Sequence, residues 1–467
     1  MTTDKQIQQP PAYIVAFRWA CIILAMLILL VQHATHRSMW LDESSLALNF
    51  QERSFGELTQ PLDYQQTAPI GFLLTVKAIT TVFGITDYSL RLFPLLAGFA
   101  NIFLVYWVVK QMYPSAIPIA MAMIATSPFH IIYATEFKQY NLDATVTLLY
   151  ILLTMRYLQS PTPRHLIFLI GFGVVGVWFS HPIIFVLAGI GMVLWLNAVL
   201  RRDWRATLGL TIMGVMQVIS FGLVYWVSYR SMSDSALGDF MTMAWSDYFF
   251  RFTAESVVKI FFEFFTLIGG LYNFPLLVLG LYGFVIGIIQ MRKLYVALLL
   301  SPIPFMLLAS YLDFYPIVHR FLLFILAPIM IIIACGWWDT IEKIGRAQKW
   351  VGMGILVILS VLLIIRIEVP FYKSEVRSAL AFVDEFRTAD EALYTTFRMS
   401  RTAQFYGYAY QMFPTELPTD ERVWVIAETP LVREDFPSTY TAYEFTGVWV
   451  VCVPTPTVSC PTDVLSP

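Results

Sequence analysis

The sequence predicts a polytopic α-helical membrane protein of about 11 transmembrane helices, followed by a small C-terminal α/β domain on the outer face. Three observations predict it. Of the 467 residues, 58% are hydrophobic and 13% are charged, whereas a soluble domain is nearer half apolar and a quarter charged. Many stretches reach the roughly 20 mostly apolar residues that a bilayer core requires. From about Glu368 the composition turns polar and mixed. The net charge of −2 gives no electrostatic reason to expect nucleic acid as a partner.

Residues 1–12 read as a short cytoplasmic N-terminus carrying Lys5, and 13–367 as the transmembrane domain. The first apolar run is too long for a signal-peptide core and reads as a retained anchor helix. Spans are expected over 13–33, 88–109, 115–133, 141–158, 165–181, 182–200, 206–229, 272–290, 294–311, 321–338 and 350–367. The apolar stretches 69–84 and 257–270 are shorter and read as interfacial or re-entrant helices.

Charge decides the orientation. With the N-terminus inside and 69–84 on the surface, Arg156 and Arg164 fall on the cytoplasmic side. So do Arg201, Arg202 and Arg205, then Arg292 and Lys293, then Lys343, Arg346 and Lys349. This is the positive-inside pattern, and a spanning 69–84 would reverse every cluster. The loop 34–87 and the tail 368–467 then lie outside the cytoplasmic membrane. In the tail, 374–387 reads as an amphipathic helix with Val376, Leu380, Val383 and Phe386 on one face. Residues 392–397, 423–427 and 443–453 read as strands, and the last dozen residues as loosely ordered. Cys21 and Cys335 read as small core residues, whereas Cys452 and Cys460 either pair or remain free thiols.

Three constellations carry chemistry. The first is Met39-Trp40-Leu41-Asp42-Glu43, where two carboxylates follow the first span. Asp42 is a good N-cap for a helix from Glu43 to about Arg53, or a general base at the membrane surface. The second is Glu136-Phe137-Lys138-Gln139-Tyr140, either a solvated Glu–Lys loop or three side chains aimed one way by extended backbone. A cation beside a phenol suits a phosphate. The third is His319-Arg320-Phe321-Leu322-Leu323. A cation at a helix start gains nothing from the macrodipole, so Arg320 either snorkels or serves an anion. Arg91 is a candidate of the same kind. His33, His36, His130, His181 and His319 lie near the outer face without a recognised metal-ligand spacing, and a divalent cation is left open as a cofactor.

In this order, the motifs resemble the multi-spanning GT-C glycosyltransferases that use polyprenyl-phosphate-linked sugars, nearest to the protein mannosyltransferase and aminoarabinose transferase group. Asp42-Glu43 stands where that family has its acidic pair after the first span. Gln66-Thr67-Ala68-Pro69, followed by Leu90-Arg91, looks like its Pro-Pro segment and downstream arginine. Glu136-x-Lys138-x-Tyr140 is similar to its Glu-x-Arg-x-Tyr loop. His319-Arg320-Phe321-Leu322-Leu323, with Pro328 and Gly336, resembles its late Arg-aromatic-Leu helix. Lys138 stands for the usual arginine and binds phosphate as a point charge rather than a fork.

The resemblance implies a GT-C-like catalytic domain and an inverting transfer of sugar from a polyprenyl-phosphate donor to a glycan, lipid or protein acceptor. Asp42 would be the catalytic base and Glu43 its support in orienting the acceptor. Lys138, Arg320 and Arg91 would bind the donor phosphate, and Glu136, Tyr140 and His319 would line the substrate site. A phosphate leaving group departs as an anion, so one base suffices where a glycosidase needs two carboxylates. The alternative reading is a transporter or flippase of lipid-linked glycans, which would place ionisable residues near the bilayer midplane on broken helices.

Overall fold

A computed structural model describes residues 12–229, 243, 245–269, 274–343, 354, 373–414, 417–418, 421–428 and 440–461. Among them six helices are long and apolar enough to cross a membrane: Ala12–Ala34, Asp87–Met112, Ile183–Leu200, Trp204–Ser228, Lys293–Tyr311 and His319–Lys343. A seventh span forms if Pro114–Thr126 and Pro128–Ala134, bent by 57°, count as one. The expected eleven are not reached by length and hydropathy. Pro163–Gly176 has only 14 residues, about 21 Å at 1.5 Å per residue. Tyr140–Gln159 is 20 residues long but carries Asn141, Asp143 and Arg156. The span expected over 350–367, with Arg346, Lys349 and residues 1–11, lies outside the described residues. The stretches at 69–84 and 257–270 are short helices, Ile70–Phe83 and Ala254–Gly269.

The chain divides into two compact units, one of Met1–Gln32, Ala68–Thr75 and Arg91–Val369, the other of His33–Thr67, Val76–Leu90 and Pro370–Pro467. Most of the loop 34–87, assigned from the sequence to the transmembrane domain, thus shares a unit with the C-terminal residues.

In the first unit the innermost helix is Leu323–Lys343, buried continuously from Leu322 to Gly336. A helix apolar on all sides is one packed on all sides. Its crossing with Phe274–Gln290 depends on glycine, since a Cβ on Gly336 would meet the backbone of both Gly283 and Gly287. Small residues of this kind let membrane helices approach until their backbones touch. Gly336→Val is expected to cost about 1–3 kcal/mol by overpacking. A thermal series in detergent, scored by the remaining monodisperse fraction, should show a lower midpoint, and an unchanged midpoint would remove the crossing from this account.

The 57° bend lies at Ser127–Pro128. Proline cannot donate to the preceding turn and forces its predecessor out of the helical region. Ser127 accordingly sits at ψ 115° and caps the new helix by accepting from the His130 backbone N–H at 3.4 Å.

The second unit contains a five-stranded mixed sheet in the order β2-β1-β3-β5-β4, where β1 is Leu393–Thr395, β2 Gln411–Met412, β3 Val423–Ala427, β4 Thr441–Phe445 and β5 Val448–Val453. β1 runs parallel to β2 and β3, and β5 antiparallel to β3 and β4. β3 is buried on both faces: Trp424 and Ile426 join one core with Val376, Leu380 and Val383, while Val423 and Val425 join another with Val451 and Val453. The amphipathic helix is Val376–Phe386, with the expected face turned inward. The single strand expected over 443–453 is instead a hairpin. Gly447, at φ 65°, makes the tight turn, and Phe445 pairs with Val448. Positive φ is accessible to glycine without a Cβ penalty, which lets a β-rich run reverse on two residues. Cys452 and Cys460 form a disulfide, and the Tyr443 hydroxyl donates to the Pro461 carbonyl at 2.5 Å. The expected loose tail is therefore held as far as Pro461.

Glu391 fastens the sheet to its surroundings. Its carboxylate accepts from Arg422 Nε and Trp424 Nε1, each at 2.8 Å, and from the Thr388 N–H at 3.3 Å. Burial alone would raise its pKa, but these donors together hold it below the usual glutamate range. A depressed folded-state pKa means the stabilisation is complete above the unfolded value and is lost as pH falls through the folded one. Arg422→Ala should strand this carboxylate at a cost of about 3 kcal/mol. Urea titrations at pH 7 and pH 4, read by hydrogen exchange of the β3 amides, should show the parent losing stability on acidification and the variant losing less.

Candidate functional site

The helix after the first span begins at Leu41, ahead of the expected Glu43, and runs to Glu52. Trp40, in extended conformation, occupies the cap position. Asp42 is not the N-cap: it is the second helical residue, half-exposed in the first turn. Glu43 takes the capping task instead, its buried carboxylate accepting from the Trp40 backbone N–H at 3.5 Å. Both acids sit at the helix end that favours negative charge. The division of labour matters, because the bland explanation for Asp42 belongs to its neighbour.

The remaining predicted residues lie in the first unit. Asn101 Nδ2 donates to the Asn141 carbonyl at 3.0 Å, Asn141 Nδ2 to the His130 carbonyl at 3.1 Å, and Thr145 Oγ1 to Asn101 Oδ1 at 2.8 Å. This buried polar network ties Asp87–Met112, Pro128–Ala134 and Tyr140–Gln159 together on both sides of the Glu136 loop. Phe137 is fully buried and stacks on Phe72 at 5.9 Å, pinning the middle of the loop. The loop is not extended as expected. The Lys138 N–H closes a tight turn onto the Glu136 carbonyl at 2.7 Å, and Tyr140 already begins a helix. Simple alternation therefore does not set the direction of the three side chains. Glu136, Lys138 and Tyr140 are buried, as is Arg91 in the helix Asp87–Met112.

The late motif docks on this loop. His319 packs against Phe129 at 5.3 Å, Tyr133 meets Tyr140 at 5.1 Å, and Tyr140 meets Phe321 at 5.8 Å. His319-Arg320-Phe321-Leu322 is a 3-10 turn ahead of the late helix, and Tyr315 braces it by donating to the Phe321 carbonyl at 2.8 Å. The Arg320 guanidinium lies 5.0 Å from the Trp245 ring centre and 5.3 Å from that of Phe321. A planar cation between aromatic faces keeps its fork in one orientation.

Two residues of this region escaped the sequence reading. Glu263, on Ala254–Gly269, accepts from the His319 backbone N–H at 2.6 Å and lies 3.2 Å from His319 Nδ1. A carboxylate in that place orients the ring and favours hydrogen on Nδ1. Asp143 is buried one turn into Tyr140–Gln159, and Asp143 Oδ1 makes no hydrogen bond among the described residues. Its signal was available, since an ionisable residue inside an apolar span marks a functional position. Among the described residues no three His, Cys, Asp or Glu side chains come together to hold a metal ion.

No protein-family model and no curated protein matches this sequence. Among solved structures, ArnT from Cupriavidus metallidurans bound to undecaprenyl phosphate is similar over 96% of this chain and 99% of its own, at 11% identity and a TM-score of 0.52. The Archaeoglobus fulgidus oligosaccharyltransferase in complex with Zn and sulfate is similar over 83% of this chain and 60% of its own, at 13% identity and a TM-score of 0.49. Both are GT-C glycosyltransferases. The likeness to ArnT runs through nearly the whole of both chains and shows that the two share a fold.

Proposed function

We propose that this protein is an inverting membrane glycosyltransferase, moving a sugar from a polyprenyl-phosphate donor to an acceptor on the extracytoplasmic face. The observation that carries the reading is the docking of His319-Arg320-Phe321 onto the Glu136–Tyr140 loop, with Tyr140 and Phe321 rings 5.8 Å apart. Two segments whose residue types each suit a phosphate, far apart in sequence, meet in one unit. The similarity to a structure that holds undecaprenyl phosphate supports the same donor class.

Asp42 accepts the proton of the acceptor hydroxyl or amine as its oxygen or nitrogen attacks the anomeric carbon. The carbon–oxygen bond to phosphate breaks, and polyprenyl phosphate leaves with the bonding electrons. Lys138 and Arg320, with Arg91, stabilise the charge that grows on the departing phosphate. Glu136, Tyr140 and His319 shape the donor site, and Glu43 holds the start of the Asp42 helix. The Cys452–Cys460 disulfide supports the outer-face placement of its unit, because such bonds persist in oxidising compartments.

The test uses the purified chain in nanodiscs with a panel of synthetic undecaprenyl-phosphate pentoses and hexoses and a membrane lipid extract as acceptor. Acceptor-dependent release of undecaprenyl phosphate, with inversion at the anomeric carbon of the product, is the expected result. Passage of intact donor across the bilayer of proteoliposomes made with the same chain, without release, would instead identify a transporter.

A further inference from the structure

The segment 36–39, which leads into the Asp42 helix, is irregular, and its backbone groups need partners from elsewhere. Arg377 and Tyr406, both of the C-terminal part of the same unit, supply them. The Arg377 backbone N–H donates to Ser38 Oγ at 2.9 Å, and its Nη1 donates to the His36 carbonyl at 2.8 Å. The Met39 N–H donates to the Tyr406 hydroxyl at 2.8 Å. Arg377 Nη2 also reaches that hydroxyl, at 2.9 Å, and pairs with Asp87, which is buried at the start of its own helix. Tyr406 completes the set by donating to Asp87 Oδ2 at 3.2 Å.

The stoichiometry of the phenol is what makes this a device rather than a contact. A tyrosine hydroxyl has one hydrogen to give and two lone pairs. Here it gives its hydrogen to Asp87 and accepts from Met39 and Arg377, so its capacity is used in full. Met39 is fully buried, so its N–H has no bulk water to turn to when the hydroxyl is removed. Above this clamp His36 holds a left-handed backbone at φ 52° and stacks on Tyr88 at 4.6 Å. A residue other than glycine stays in that region only where its surroundings fix it. Below the clamp, Ser44 shares a hydrogen bond with Thr402 at 3.0 Å, and Gln51 Nε2 donates to the Phe405 carbonyl at 3.3 Å.

We infer that Asp87, Arg377 and Tyr406 are positioning residues for the Asp42 helix, fixing the backbone from His36 to Trp40 from which that helix starts. The C-terminal part thereby belongs to the reaction centre through geometry, without touching substrate. The inference rests on the reading of Asp42 as the base.

The experiment compares the full-length parent with Tyr406→Phe, Arg377→Lys and Asp42→Asn in nanodiscs. Hydrogen exchange is followed at the amides of 38–43 and, as an internal reference, at those of β3. Tyr406→Phe is expected to speed exchange about tenfold at 38–43, the consequence of one buried donor left unmet, and to leave β3 unchanged. Arg377→Lys should give a smaller rise, since lysine keeps the charge but cannot reach three acceptors at once. With whichever donor of the panel turns over, Tyr406→Phe should lower kcat by about tenfold at unaltered KM, as expected for misplacement of a base. Unchanged exchange at 38–43, or an equal rise at β3, overturns the inference. Asp42→Asn separates the two readings. If that variant turns over like the parent, the base assignment fails, while the exchange data still decide whether the clamp orders the segment.

Discussion

Asp42→Asn is expected to lower sugar transfer by about 10²- to 10⁴-fold, the range that a positioned general base contributes. The amide keeps the size of the carboxylate and loses only its basicity. The helix gives this substitution unusual clarity. Glu43, not Asp42, accepts from the cap residue's N–H, so the variant retains that cap bond, and the dipole contribution lost with a half-exposed first-turn acid is about 0.3–1 kcal/mol. Glu43→Ala should behave oppositely, removing a buried capping carboxylate and lowering stability together with rate. The measurement is kcat and thermal midpoint for both variants against the parent. A fully active Asp42→Asn enzyme would leave the acidic pair with a structural role alone.

Arg320→Ala should follow at about 10²- to 10³-fold in kcat, the usual loss when one donor to a developing oxyanion is removed. Arg320→Lys is the more telling variant. If the residue merely snorkelled, lysine would serve as well. If it presents a planar fork to phosphate from between Trp245 and Phe321, lysine keeps the charge but loses both the stacking and the two-point grip. An intermediate loss, about tenfold, is the expected outcome, and parity with the parent would point to snorkelling. Lys138 allows the reverse experiment, because arginine there restores the residue usual in the resembled family.

The comparison of residues with structure shows where local information runs out. Apolar length announced the long helices, and in the C-terminal part a short continuous apolar run placed Val423–Ala427 and a period of 3.6 placed the buried face of Val376–Phe386. Ser127-Pro128 bends by 57° the run 115–133, expected as one span, and aims the following helix at the Glu136 loop. The hairpin at Gly447 was hidden because the residues on both sides of the turn favour strand. The helix Phe397–Phe405 was hidden because its buried face mixes Met399 and Ala403 with Ser400 and Thr402, and β2 because two residues are too few to carry a pattern. Capping preferences pointed to Asp42, since tryptophan is a poor cap; tertiary contacts placed Trp40 there regardless. Glu263 could not be read as the partner of His319 because 56 residues separate them and neither carries a motif. The phosphate candidates were legible as residue types, whereas their docking through Phe129, Tyr133 and Tyr140 exists only in three dimensions.

The clamp has a consequence for how the protein is made. Its hydrogen bonds join residues 339 and 367 positions apart. At about 5–20 residues per second, the ribosome needs roughly 17–70 s after synthesising Ser38 to synthesise Arg377 and Tyr406. Throughout that interval the helix bearing Asp42 has emerged without the partners that fix its start. The nascent chain thus passes through a stage in which membrane insertion is far advanced and the reaction centre is incomplete. A chain ended just before Arg377 would lack Arg377 and Tyr406 together, leaving the His36–Trp40 backbone without the hydrogen bonds that fix the start of the Asp42 helix.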